Sequence, residues 1–171
     1  TVTKFESNCV TITYKNGDNI VKTDDAVYRL VERDLWSGYT VEGFVFRGWY
    51  LDGDENQTLV TKYTATGNAT FVAKLDPAVT LTIVYGNGLE NATHTLGVGD
   101  ALNMNKYVLA YIDGMAFDHW YTLGDDGTTQ TVFAATTIDA DITVYAAYVT
   151  AACPFVGTFK GVYFPSKTSN Y

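Results

Sequence analysis

Apolar and polar positions alternate along this chain in short runs, with the period of strands rather than of helices. Val10-Thr11-Ile12-Thr13-Tyr14 and Leu81-Thr82-Ile83-Val84-Tyr85 are β-branched and aromatic runs, each followed by an Asn-Gly pair at Asn16-Gly17 or Asn87-Gly88. Asn-Gly accepts the positive φ that tight turns require. Each run therefore predicts a hairpin, with Ile20-Val21-Lys22 or residues 92–96 on the return strand. Residues 45–50 predict a further strand, Asp52-Gly53-Asp54 an acidic turn, and residues 69–74 a closing strand. In the closing strand Thr, Val and Lys alternate with Ala and Phe, the mark of a sheet with one face on a core and the other in water. Residues 23–33 carry an N-cap candidate, early acids and a late base, which are helix signals. Their counterpart, residues 96–104, contains Gly97 and Gly99 and reads poorly as helix, so extended or irregular structure is expected in both.

The pattern occurs twice. Phe46-Arg47-Gly48-Trp49-Tyr50 aligns with Phe117-Asp118-His119-Trp120-Tyr121 at an offset of 71, and Tyr14, Asn16 and Gly17 align with Tyr85, Asn87 and Gly88 at the same offset. Residues 68–75 align with 141–148 at an offset of 73, so the second copy carries two extra residues between Tyr121 and Asp141. Such an insertion belongs in a surface loop, where added length disturbs no core position. The chain divides accordingly into a flank (1–9), a first module (10–76), a linker (77–80), a second module (81–149) and a tail (150–171). The linker follows from Asp76-Pro77-Ala78, since proline cannot continue a ladder. In the tail, residues 154–164 read as one more strand, the start of another domain. The start at Thr1 and the stop at Tyr171 read as the ends of a piece of a longer protein.

Composition fits a globular chain: 171 residues, 47% hydrophobic and only 18% charged. Net charge is −8 and unevenly shared. Residues 1–76 hold 8 Lys/Arg against 11 Asp/Glu, residues 77–149 hold 1 against 8, and residues 150–171 hold 2 against none. The acidic second copy argues against a nucleic-acid partner, because phosphate affinity comes from clustered Lys and Arg. No apolar run reaches the roughly 18 residues of a membrane span, and no signal-peptide pattern opens the chain.

The Phe-x-Gly-Trp-Tyr strand, preceded by Gly38-Tyr39 and Gly43-Phe44 and followed by the Thr70-Phe71-Val72-Ala73-Lys74-Leu75 strand, resembles the Listeria–Bacteroides repeat, also called the InlB B-repeat. The second copy keeps Phe117, Trp120, Tyr121, Tyr145 and Ala146 of the phrase. It departs at His119, in place of Gly, while Leu75 and Tyr148 replace the closing Trp. The resemblance implies an α+β or mainly β fold of two tandem β-grasp-like modules. It also implies a bacterial cell-surface or secreted setting with spacer, adhesion or host-contact roles, and no known chemistry.

Chemistry-bearing residues are sparse. His94 and His119 stand on different strands, with no nucleophile at a recognised spacing, so no catalytic residue is assigned. The run from Asp52 to Asn56 opens like an EF-hand loop but has Gln57 where Gly is needed and Tyr63 where the bidentate Glu belongs. A solvated turn is the better reading, matched by Asp125-Asp126-Gly127 in the second copy. Gly97-Val98-Gly99 lacks the Gly-Lys-Ser/Thr of a phosphate loop. No metal or cofactor is assigned.

Trp49 and Trp120, duplicated beside Phe46 and Phe117, read as core keystones. Tyr50 and Tyr121 then fall on the opposite, more exposed face and are the candidate ligand contacts, toward a host or cell-surface protein or a glycan. A Cys9–Cys153 bridge would require both ends of the tandem to meet; free thiols or outside partners are the alternative. Asn56, Asn68 and Asn91 each open an Asn-x-Thr triplet, read as chance in a Thr-rich chain.

Overall fold

The computed structural model describes residues 8–109, 111–112 and 114–150. The expected tail strand, Cys153 with any bridge to Cys9, and the flank before residue 8 lie outside the described residues. Two compact units hold the described residues: one drawn from residues 8–82, 92–102 and 135–143, the other from described residues within 83–91, 103–134 and 144–150. The units do not follow the sequence copies. The first takes two segments of the second copy, so a cut at the predicted linker would divide it.

In the first unit, strands β1 (Cys9–Asn16) and β2 (Asn19–Tyr28) form the predicted hairpin, closed by the pair Asn16↔Asn19. Gly17 supplies the left-handed φ of +56° in its two-residue loop. The short strands β3 (Glu32–Asp34) and β5 (Lys62–Thr64) pair with each other, on either side of β4 (Phe44–Leu51) in sequence. β6 (Ala69–Val84) runs parallel to β1, from Ile12↔Ala69 to Lys15↔Val72, and antiparallel to β4, from Phe44↔Pro77 to Leu51↔Phe71. β7 (Ala92–Gly97) also pairs with β6, and β8 (Asp100–Ala101) pairs with β12 (Thr137–Ile138). Two side-chain oxygens bond backbone N–H groups far away in sequence: the Thr11 N–H donates to Asn68 Oδ1 at 3.0 Å, and the Thr80 N–H to Asp141 Oδ1 at 2.7 Å.

The second unit is built on β10 (Met115–Leu123). It pairs with β13 (Ile142–Thr150) from Met115↔Thr150 to Tyr121↔Tyr145, with β11 (Gln130–Val132) through Tyr121↔Val132, and with β9 (Tyr111–Ile112) through Met115↔Ile112. Its Gly86–Leu89 turn has Asn87 and Gly88 both at positive φ, as the Asn-Gly signal predicts, and is closed by Leu89 N–H to Gly86 carbonyl at 2.9 Å. The 3₁₀ turn Met104–Tyr107 is the one helical element among the described residues, so the fold is mainly β.

One expectation changes. Residues 77–80, expected as a linker, lie inside β6, a single 16-residue strand that joins the closing strand of one copy to the opening strand of the next. The hydrogen bonding continues around Pro77, whose only loss is its own N–H: its carbonyl receives the Val98 N–H at 2.9 Å, and the neighbouring Ala78 N–H reaches the Gly43 carbonyl. The helix signals in residues 23–33 yield to extended structure, as expected. Ala26 and Leu30 sit at φ of 60° and 61°, and the N–H groups of Arg29 and Leu30 bond to Asn8 and Ala65 carbonyls rather than to a helical turn.

The first unit's core gathers Val10, Ile12, Tyr14, Phe71 and Ala73 around Trp49, which is only 1% exposed. Its ring lies 4.8 Å from Tyr14, 5.0 Å from Phe46 and 5.4 Å from Tyr39, centroid to centroid. Its Nε1–H donates to the Trp36 carbonyl. Trp120, 6% exposed, packs 4.9 Å from Phe117 and 6.1 Å from Tyr85, but its buried Nε1–H has no acceptor among the described residues. Both tryptophans are core residues, as their duplication predicts.

Candidate contact surface

A bulge sets which side chains reach the outer face. In β4 the register slips between Phe46 and Gly48, so both Phe46 and Trp49 point to the core while Arg47 is the extra residue. In β10 the same slip falls between Phe117 and His119, with Asp118 as the extra residue. Gly48 takes φ +140° and lies against Leu59; the second copy makes its bulge without a positive φ at His119, which is why a side chain is accepted there.

Past the bulge, Tyr50 and Tyr121 face outward because Trp49 and Trp120 face inward, in the strand alternation. Tyr50 pairs across to Val72 and Gly48 to Lys74. Tyr50 lines a depression of about 400 Å³ with Asn16, Phe44, Gln57, Lys74 and Asp76. Tyr121 pairs across to Tyr145, and the two rings stack at 5.4 Å and 22°. The His119 ring lies 6.2 Å from Tyr121, and its Nδ1 is 2.7 Å from Asp118 Oδ2. On the other flank Val132, opposite Tyr121, is 65% exposed. The two candidate tyrosines thus stand in separate units, each with its own surroundings. Tyr145 and His119 complete the second group. Period-two alternation combined with the offsets of 71 and 73 carries that signal in the sequence, since together they put residues 119, 121 and 145 on one face.

Arg47 does not point to a ligand. Its Nε donates to Asp76 Oδ2 at 2.7 Å and its Nη2 to Asp100 Oδ1, and these bonds, Asp76 first, raise its pKa further. Asp100 is held below the usual carboxylate range, chiefly by the Gly97 N–H and then by Arg47. Gly97 leaves room for this set: a Cβ there would overlap the guanidinium and lie 3.2 Å from the Asp76 Cβ. A second charged set lies beside the core. Lys22 Nζ reaches Asp24 at 2.9 Å, the Tyr14 hydroxyl donates to Asp24 at 3.4 Å, and the Lys22 ammonium sits 5.2 Å from the Trp36 ring centroid. Burial is the largest cause raising the Tyr14 pKa. Next to this core a cleft of about 400 Å³ is lined by Asp34, Leu35, Trp36, Phe46, Trp49 and Val60.

The acidic turns are closed on themselves. Asp54 accepts from the N–H groups of Thr58 at 2.8 Å and Asn56 at 3.0 Å, and Asp126 from those of Thr129 and Thr128 at 2.7 and 2.9 Å. Backbone N–H bonds lower the Asp54 pKa; the Thr129 hydroxyl, then backbone bonds, lower that of Asp126. Their oxygens are occupied by the turn itself, the solvated-turn geometry. Among the described residues no group of three His, Cys, Asp or Glu side chains is placed to hold a metal ion. His94 and His119 sit on β7 and β10, in different units. No helix among the described residues is long and apolar enough to cross a membrane.

Compared with known families, residues 10–74 and 87–147 each match the Listeria-Bacteroides repeat domain. No curated protein matches the chain. With two matches that cover most of its length, the chain belongs to the Listeria-Bacteroides repeat family and carries two tandem copies.

Proposed function

We propose that this repeat pair is a non-catalytic segment of a bacterial cell-surface or secreted protein, working outside the cell as a spacer and adhesion module. Its copies are read as β-grasp-like variants on the mainly β architecture. Such repeats are typical of bacterial surface proteins. One observation carries the reading: the residues the copies share, Phe46/Phe117 and Trp49/Trp120, go into cores, while the residues that differ surround an outward tyrosine. Chemistry held in common would instead have kept converging polar groups.

A second reading, a carbohydrate- or peptide-binding module using Tyr50 and Tyr121, is favoured by the half-exposed position of both rings. A glycan-array and host-protein screen on the full chain, repeated with Tyr50→Ala and Tyr121→Ala, tests both. Capture that falls with one substitution supports the binding module; silence throughout leaves the spacer. Chemical turnover of any captured ligand overturns the non-catalytic reading.

A further inference from the structure

The two copies differ in one direction around their shared tyrosine. Where the first has Arg47, Gly48, Val72 and Lys74, the second has Asp118, His119, Tyr145 and Ala147. Each pair occupies the same register position: Gly48↔Lys74 and Tyr50↔Val72 in one, His119↔Ala147 and Tyr121↔Tyr145 in the other. A cation has been removed from the outer face, a second cation has become a carboxylate, and two rings have been added. In the first copy Asp76 is already held by Arg47 at 2.7 Å, so Lys74 stands beside Tyr50 without that carboxylate to offset it.

From this placement we infer that the outer face of β10 and β13, built on Tyr121, Tyr145 and His119, docks a Lys- or Arg-rich segment of a partner protein. The inference rests on the contact reading above and names its copy and its chemistry. Charge complementarity selects the occupant. Among the described residues of the second unit Glu90, Asp118, Asp125 and Asp126 outnumber one lysine, Lys106; Asp118 lies half-exposed beside the His119 ring, and Asp125 follows two residues after β10 ends. Tyrosine faces attract ammonium and guanidinium groups through the ring quadrupole, and exposed Val132 offers the apolar area on which long basic side chains lay their stems. An acidic field without rings would attract basic peptides loosely; the rings give the face its selectivity.

The probe is a fluorescein-labelled nine-residue oligolysine, titrated by anisotropy against the full chain at about 150 mM salt, where long-range attraction is screened. Tyr121→Leu and Tyr145→Leu are each expected to weaken binding about threefold and together about tenfold. Tyr145→Phe is expected to retain affinity, because it keeps the π face, and Tyr50→Leu to change it less than twofold. Thermal melts of each variant confirm that its fold is intact. Binding that ignores both Leu variants and falls only on neutralising Asp125 and Asp126 overturns the inference as generic electrostatics. Capture of a neutral glycan at the same tyrosines without oligolysine binding also overturns it, and leaves the contact reading standing. Silence toward both probes overturns the inference and the contact reading together, and leaves the spacer.

Discussion

Trp49 and Trp120 occupy one position of a duplicated phrase and are not energetically equivalent. Trp49 sits among Tyr14, Phe46 and Tyr39 and has an acceptor in the Trp36 carbonyl; the buried N–H of Trp120 has no acceptor among the described residues. Trp49→Ala is expected to cost about 3–5 kcal/mol through lost contacts and a cavity. Phenylalanine separates the polar contribution. Trp49→Phe forfeits a hydrogen bond, whereas Trp120→Phe removes an orphan donor, so the first is expected to be more destabilising by about 1 kcal/mol in urea unfolding. The inward and outward roles of these residues were legible from alternation and duplication alone. The hydrogen bond of Trp49 was not, because its acceptor is the carbonyl of Trp36, a residue 13 positions away that joins it only through the fold.

Strands and their turns were the most readable elements. Asn16-Gly17 and Asn87-Gly88 marked real hairpin turns, and the runs at residues 45–50 and 69–74 fell inside β4 and β6. The helix signals of residues 23–33 lost to long-range carbonyl partners, Asn8 and Ala65, that local propensity does not register. The acidic turns make a prediction at this scale. Asp54, Asp100 and Asp126 all have pKa values lowered in the folded state, so their contribution is present above the unfolded carboxylate range and lost as pH falls through the lowered folded values. Melting temperature is therefore expected to hold between pH 7 and 5 and to decline below about pH 4. Asp126→Asn and Asp54→Asn should shallow that decline; an unchanged acid profile would refute the turn assignment.

At the scale of the whole molecule, proline misled. Pro77 suggested a break between modules, yet β6 continues through it, with its carbonyl bonded to the Val98 N–H and the next residue's N–H bonded to the Gly43 carbonyl. The Arg47–Asp100 pair, 53 residues apart, was equally invisible to local reading. Both contacts bring residues 92–102 into the first unit. A chain ending at residue 76 would lack them, along with residues 135–143, and is expected to melt below the intact protein. Arg47→Ala should reproduce part of that loss, on the order of 1 kcal/mol after allowing for solvent screening of a partly exposed ion set. An equal melting temperature for the shortened chain would mean that the first copy is self-sufficient.

The copies share a core and diverge in what they present, and the proposed contact is made by the second copy. Residue-resolved NMR of the full chain titrated with oligolysine asks this directly. Shift changes concentrated at residues 118–121, 130–132 and 143–147 are the predicted result; changes centred on residues 48–50 and 72–74, or scattered over the acidic turns, would contradict it.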